Sequence, residues 1–178
     1  YSLEVESYYK KVKNRIDYID GADLIANEAI EQVILNGRMR SYGLEVLFRK
    51  NSGDFNGWVA YTLSRSEQQT PGRTPTEIGI NNGDWYRSAY DKTHNLAVTG
   101  SYKLNQKWTF GANFTLQTGQ PVTFPTGKYV FQGVTVPSYN SRNDDRLPAY
   151  HRLDISATLT PKHKEKHKYK REWVFGIY

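Results

Sequence analysis

Residues Lys107–Pro121 read KWTFGANFTLQTGQP, and the alternation within this stretch decides the fold class. Successive side chains of an extended chain point to opposite faces. One face is apolar and rich in aromatic rings; it carries Trp108, Phe110, Ala112, Phe114 and Leu116. The other face is small and polar; it carries Thr109, Gly111, Asn113, Thr115 and Gln117. We therefore expect the two faces to meet different surroundings.

The composition favours β-structure. The chain has 178 residues, of which 38% are hydrophobic and 14% aromatic, and its mean hydropathy is −0.73. Many Tyr, Trp, Thr and Gly residues with a modest aliphatic content are typical of strands with amphipathic rings. The chain contains no Cys, so nothing is learned about its redox compartment. No run of 18 apolar residues predicts a transmembrane helix.

The net charge of +6 is concentrated in the run KHKEKHKYKR at Lys162–Arg171. We interpret this run as a solvated turn. Nucleic-acid binding is not expected because stacking aromatics are not interleaved with the basic residues. His163 and His167 lie among lysines and supply too few ligands for a metal site, so we predict neither a metal nor a cofactor.

Period-two alternation predicts seven strands. They cover Ser2–Lys11, Arg40–Lys50, Gly57–Glu67, Thr93–Leu104, Lys107–Gly119, His151–Thr160 and Arg171–Tyr178. Short turns alternate with three long segments, Ile16–Gly37, Gln68–Tyr90 and Gln120–Tyr150. Weak helical periodicity within the first long segment predicts one or two helical turns.

This rhythm is typical of a transmembrane β-barrel, which has short turns at one end and long loops at the other. The apolar rows would face lipid and the polar rows a lumen. Trp58, Trp108 and Trp173 each follow a short turn and are expected at one height. Trp108 and Trp173 have the lipid-facing parity of membrane-interface aromatics, whereas Trp58 faces inward or sits at a bulge. The alternative is a soluble β-sandwich whose core is the apolar row.

Charged residues on the polar faces would line the lumen. The candidates are Glu4, Glu6, Glu45, Arg49, Arg152 and Asp154. Such residues would contact a plug where the lumen holds one, and substrate selection is the alternative role. We expect Arg152 and Asp154 to form an ion pair within the wall.

Two clusters in the long segments are candidates for ligand contact. Asp84, Trp85, Tyr86 and Arg87 lie in NNGDWYRSAYD, where an aromatic ring beside an arginine suits sugars or anionic chelates. The second cluster comprises Arg142, Asp144, Asp145 and Arg146. Packing against the barrel rim is the alternative role for the first cluster. For the second, a network in which arginines neutralise the neighbouring carboxylates is the alternative.

Several longer stretches carry a family resemblance. YYKKVKNRIDYIDGA, GRMRSYGLEVLFRKNSGDFNGWVAYTLSRSE, YDKTHNLAVTGSYKLNQKWTFGANFTLQTGQPVTFPTG and YHRLDIS follow one another in this order. Together they resemble the C-terminal barrel region of TonB-dependent outer-membrane receptors, most closely the Bacteroidetes branch. The resemblance covers nearly the whole chain.

The resemblance implies that residues 1–178 are part of one all-β domain, an antiparallel barrel of 22 strands. The remaining strands and the plug would lie outside this chain, which we therefore expect to be a piece of a longer polypeptide. The implied function is capture of a scarce nutrient at the surface of a Gram-negative cell and its import to the periplasm. Implied partners are membrane lipid and the TonB complex, which acts through the plug. The ligand is an unidentified small molecule, glycan or peptide, and a surface lipoprotein is a further candidate partner.

Two alternatives to an import receptor stay open at this point. One is a small structural or adhesive outer-membrane barrel, and the other is a soluble carbohydrate-binding β-sandwich. An enzyme is not expected, because no catalytic triad, phosphate loop or zinc-ligand spacing is present in the sequence.

Overall fold

The computed structural model describes residues 1–22, 25, 27–161, 169 and 171–178. The predicted solvated turn at Lys162–Arg171 falls mostly outside these residues, and so do His163 and His167. Within the described part, no helix combines the length and apolar character needed to cross a membrane.

Seven of the strands form one antiparallel sheet. Their bounds are β1 Ser2–Tyr18, β2 Ile34–Lys50, β3 Phe55–Gln69, β5 His94–Lys103, β6 Trp108–Gln117, β11 Tyr150–Leu159 and β12 Trp173–Ile177. Each strand pairs with the next in this order. A short strand β4 (Trp85–Arg87) pairs with residues 67–69 of β3. The seven predicted strands are thus confirmed, in a sheet whose two outer strands are β1 and β12.

The register confirms that the sheet has one apolar and one polar face. Val59, Val98, Phe114 and Leu153 form one row across β3, β5, β6 and β11. The adjacent row on the opposite face is polar apart from one tryptophan; its members are Trp58, Thr99, Asn113 and Asp154. Trp58 therefore lies on the polar face.

Among the residues that the structure describes, no second layer covers the apolar face. Leu153 is 53% exposed and Phe110 is 43% exposed although both lie on this face. A soluble sandwich would bury such a row against a facing sheet. The sheet is instead a partial wall of an antiparallel β-barrel, which is not closed within this chain.

Strand lengths differ across the wall. β5, β6 and β11 each have 10 residues, close to the roughly 9–11 that a tilted strand needs to span a bilayer. β1 and β2 have 17 residues each and project beyond the others. Both are longer than predicted. In β1 the reason is a bulge at Asn14, which has a φ of 56° and interrupts the alternation between Val12 and Arg15.

Three long connections lie at one end of the sheet, which we call the loop end; the opposite end is the turn end. They are residues 19–33, 70–93 and 118–149. The first contains one 3₁₀ turn at Ile30–Val33, as predicted. The second contains a 3₁₀ turn at Ile80–Gly83 as well as β4.

The third connection holds structure that was not predicted. β7 (Pro121–Val122) pairs with β10 (Asp145–Arg146), and β8 (Gly127–Phe131) forms a hairpin with β9 (Val134–Ser138). The small apolar core of the described residues also lies at the loop end and consists of Leu35, Ile80 and Tyr86. Burial among the described residues is therefore concentrated at the loop end, in the long connections and the strand ends beside them.

Candidate functional site

A left-handed turn positions the second connection. Asn81, Asn82 and Gly83 have φ values of 50°, 59° and 77°. Asn and Gly are the residue types that adopt this conformation most readily. The turn places the Asn81 amide against the backbone of Arg142: its Nδ2 donates to the Arg142 carbonyl at 3.0 Å, and its Oδ1 accepts from the Arg142 N–H at 2.7 Å.

The Arg142 side chain ties the third connection to the first. Its Nη1 donates to Asp17 Oδ1 and to the Tyr18 carbonyl, both at 2.8 Å. Its Nη2 pairs with the Asp20 carboxylate. The side chains of Arg142 and Asp17 are 20% and 19% exposed, so this pair is largely shielded from water.

Asp17 also anchors the second connection. Its Oδ2 accepts from Gln68 Nε2 at 2.6 Å and from the Tyr86 hydroxyl at 2.8 Å. Thr70 Oγ1 lies 2.9 Å from the same hydroxyl. Burial, together with the neighbouring Asp17 carboxylate, raises the pKa of Tyr86 to about 12. The network around Asp17 thus holds all three long connections together.

A second buried ion pair stabilises the base of the third connection. Arg146 pairs with the carboxylate of Asp91, which is 1% exposed. Arg146 Nη1 also donates to the Gly119 carbonyl at 2.8 Å, and Asp91 Oδ1 accepts from the Ser66 N–H at 2.7 Å. These bonds give Arg146 a structural role.

A third buried carboxylate belongs to Glu67 on β3. It pairs with Arg40 Nη2 at 2.7 Å and with Arg65 Nε at 2.6 Å, and it is 4% exposed. The Arg40 guanidinium lies over the ring of Trp85, 4.1 Å from its centroid. One ring face of Trp85 is therefore occupied by a cation.

The two predicted ligand clusters meet at one cavity of about 430 Å³. Six of the eight candidates line it, namely Asp84, Trp85, Tyr86, Arg87, Arg142 and Asp144. Asp145 and Arg146 do not, because they form β10 beside β7. Ligand contact by these residues stays a prediction.

The lining residues differ in how far their bonding capacity is already used. Tyr86 and Arg142 are committed to Asp17. Within the described chain, the side chains of Asp84, Arg87 and Asp144 make no hydrogen bond or ion pair. These three charged groups are therefore available to a molecule that enters the cavity.

The alternative prediction of a local arginine–carboxylate network holds for only one pair. Arg152 Nε donates to Asp154 Oδ1 at 2.7 Å. Arg142 and Arg146 instead pair with Asp17 and Asp91, and neither contacts Asp144 or Asp145. That part of the prediction was wrong, because the third connection folds back onto the first two connections.

The remaining candidates have the parity that was predicted for them. Glu45, Arg49, Arg152 and Asp154 lie on the polar face, opposite Thr62, Trp58, Thr115 and Asn113 respectively. Trp108 and Trp173 lie on the apolar face and both pair with Leu159, so they share one line at the turn end. Trp58 lies on the opposite face of the sheet and is therefore not part of this line of tryptophans.

Sequence reasoning missed the residues that organise the site. Asp17, Gln68 and Thr70 look like ordinary strand-end residues, and no local pattern marks their bonds to Tyr86. The signal that could have been used is the Asn-Asn-Gly run at residues 81–83, which is typical of a left-handed turn. Among the described residues, no cluster of three His, Asp or Glu side chains could hold a metal ion.

Comparison with known protein families gives one match. A family model described as TonB dependent receptor-like, beta-barrel, matches residues 1–177. No curated protein and no solved structure matches the chain.

Proposed function

We propose that this chain, which belongs to the family of TonB-dependent receptor-like β-barrels of the outer membrane, captures a scarce nutrient at the cell surface for import to the periplasm. In this proposal residues 1–178 form part of one barrel of 22 strands. The loop end is external and the turn end faces the periplasm, since external loops of such barrels are long and periplasmic turns short.

The observation that carries the proposal is the pair of contrasting faces. Rows such as Val59, Val98 and Phe114 are exposed or half-exposed, and no other part of the described chain packs over them as a second layer. Hydrocarbon is the solvent that such a surface matches, and water in a lumen matches the row with Thr99 and Asn113. Glu45, Arg49, Arg152 and Asp154 would then line the lumen, and Trp108 and Trp173 would lie at the periplasmic interface.

Ligand capture is assigned to the cavity at the loop end. Asp84, Arg87 and Asp144 would contact the ligand through their free charged groups, beside Trp85 in the wall of the cavity. Tyr86 and Arg142 would act by holding the three connections in one arrangement. A preorganised site avoids the cost of ordering loops when the ligand binds.

Energy for import would come from outside this chain. The TonB complex would act through a plug, and a surface lipoprotein is a further candidate partner. The ligand would be a small molecule, glycan or peptide. We propose no catalytic activity, because the family transports rather than transforms its ligands.

The proposal can be tested by growth on limiting nutrients. Strains that lack the whole receptor, or that lack TonB, are compared with the parent on ferric chelates, haem, cobalamin, oligosaccharides and peptides in turn. The proposal predicts one nutrient on which both mutants fail, with recovery when the receptor is restored. If the receptor mutant grows like the parent on every one of them, the barrel does not import, and a structural or adhesive role replaces this proposal.

A further inference from the structure

We propose that the loop end of the apolar face carries a binding site for the phosphate groups of an outer-leaflet lipid, formed by Lys11, Arg38, Arg40 and Arg65. This inference goes beyond nutrient capture and depends on it only through the assumption that the apolar face meets lipid. The site shares Arg65 with the wall of the cavity, whereas Lys11, Arg38 and Arg40 do not line the cavity.

The strand register puts these cations on one face. Lys11, Arg40 and Glu67 lie in one row across β1, β2 and β3, and Arg87 continues the row on β4. The next row towards the turn end contains Tyr9, Tyr42 and Arg65. The row after that contains Leu44 and Leu63, which belong to the apolar face. The register is continuous from the apolar rows to the basic rows on β2 and β3, so the cations point to the same side as the apolar residues.

The basic rows also lie at the right height for lipid headgroups. From Phe55 at the turn end, nine residues of β3 reach Leu63, and the next residue with the same parity is Arg65. About 9–11 residues of a tilted strand cross the hydrocarbon layer. The first cations therefore follow where the hydrocarbon layer ends.

Within the described part of the chain, the cations of this surface are only partly neutralised. Glu67 is the one carboxylate in these rows, and Arg40 and Arg65 already share it. Arg38 Nε donates to the neutral side chain of Gln69 at 2.9 Å. Lys11 has an aromatic partner, since its Nζ lies 5.5 Å from the centre of the Tyr9 ring. The surface thus keeps an excess of positive charge that favours an anionic lipid.

Aromatic rings support the same assignment. Tyr9 stacks on Tyr42 with 6.1 Å between the ring centres, directly beside the basic row. Trp85 packs against the guanidinium groups of Arg38 and Arg40, whose central carbons lie 5.5 and 4.1 Å from its ring centre. Tyr and Trp beside basic residues are typical of a membrane–water interface. The buried Glu67 fixes Arg40 and Arg65, and guanidinium groups bind phosphate oxygens in a fork geometry.

A phosphorylated lipid is preferred over a soluble anionic ligand because of the location. Lys11 and Arg38 do not line the cavity. Towards the turn end, their face continues through the row of Tyr9 and Tyr42 to apolar residues such as Leu44. A lipid molecule placed here would contact Leu44 and Leu63 with its acyl chains while its phosphate meets the basic row. A free anion would use the cations but gain nothing from the apolar rows.

The test measures lipid binding to the whole receptor in detergent by native mass spectrometry, with diphosphoryl lipid A as the probe. The variant is Lys11→Gln with Arg38→Gln, both at exposed side chains. Its control is Lys10→Gln with Lys103→Gln, which removes the same charge from exposed side chains on the polar face, where the two lysines pair with Ser41 and Thr109. At about fivefold per removed charge, the first variant should bind the probe roughly 25-fold more weakly, and the control should bind it like the unmodified receptor.

The other outcomes overturn the inference. Equal weakening in both variants would mean that overall charge, and not this surface, attracts the lipid. Equal affinity for fully dephosphorylated lipid A would mean that the phosphate groups do not contribute to binding. Displacement of lipid A by inorganic phosphate alone would indicate a simple anion site. Nutrient uptake measured in the same variants should be unchanged, which separates failure of this inference from failure of the proposed import function.

Discussion

Arg142 and Asp17 are 125 residues apart in the sequence, yet Nη1 of Arg142 lies 2.8 Å from Oδ1 of Asp17 at the loop end. Asp17 is the penultimate residue of β1, and Arg142 lies in the third connection. The Tyr86 hydroxyl and the Gln68 amide bond to the other oxygen of the same carboxylate. One acidic side chain at the end of β1 therefore binds the second and third connections, and Arg142 adds the first through Asp20.

Removing Arg142 should loosen this arrangement. Arg142→Ala leaves the shielded Asp17 carboxylate without its cation, and we expect the free energy of local opening of residues 141–146 to fall by about 2 kcal/mol. Hydrogen exchange of the backbone amides measures this opening. Arg152→Ala is the control, since the Arg152–Asp154 pair is more exposed and should contribute less than about 1 kcal/mol. Equal effects of the two variants would contradict the anchoring role of Arg142.

Asp91 should be more critical than the free carboxylates of the cavity. Asp91→Ala leaves the Arg146 guanidinium and the Ser66 N–H without their partner at a site that is 1% exposed. We expect a loss of about 3–5 kcal/mol in the local stability of the third connection. Asp144→Ala, at an exposed residue, should change it by no more than about 0.5 kcal/mol. Proteolysis of the two variants under native conditions compares them, and cleavage of both at the same rate would count against the prediction.

The network should also respond to alkaline pH. The pKa of Tyr86 is raised from 10 to about 12, so the folded protein favours the neutral phenol. Its contribution to stability is complete below pH 10 and is lost as the pH rises towards about 12. Tyrosine ionisation is followed by the ultraviolet absorbance of phenolate in the receptor and in Tyr86→Phe. The difference between the two titration curves should show one tyrosine with a pKa of about 12, which is about two pH units above the ordinary value. If the two titration curves differ near pH 10 instead, Tyr86 is not held in the network.

The two faces should tolerate charge differently. Val98→Arg puts a cation on the apolar face, where it should cost about 2–4 kcal/mol if the residue lies near the bilayer midplane. Thr99→Arg puts the same side chain on the polar face, one residue away. Urea unfolding of the receptor in lipid vesicles should show a large loss for the first variant and a small change for the second. A larger loss for Thr99→Arg than for Val98→Arg would mean that the polar face meets lipid, which would contradict the account.

Alternation was sufficient to predict the wall but not the loop end. Strands such as β6 were predicted because apolar and polar residues alternate without interruption from Trp108 to Gln117. The polarity of each residue there indicates the face of the sheet on which it lies. The upper part of β1 was missed because the bulge at Asn14 breaks the period, so Ile16 and Tyr18 no longer continue the pattern. The period-two signal is local, and it fails where one extra residue enters a strand.

The site was predictable only in part for a different reason. Asp84 to Arg87 and Arg142 to Arg146 were recognised as two clusters by their residue types, but nothing in the sequence indicated that most of them share one cavity. The partners of Arg142 and Arg146 are distant in the chain, whereas sequence reasoning pairs charges with near neighbours. The hairpin of β8 and β9 was missed although Gln132 and Gly133 form a two-residue turn, because its segment was interpreted as one long loop.

The most direct test of the account asks which face of the sheet meets lipid. The chain contains no Cys, so single cysteines can carry spin labels at chosen residues. Labels at Val98→Cys and Phe114→Cys on the apolar face are compared with labels at Thr99→Cys and Asn113→Cys on the polar face, in the whole receptor in vesicles. We predict that dissolved oxygen, which concentrates in hydrocarbon, relaxes the first pair, and that a water-soluble nickel chelate relaxes the second. If all four labels respond mainly to the nickel chelate, the apolar face is not in a membrane, and the outer-membrane receptor is excluded.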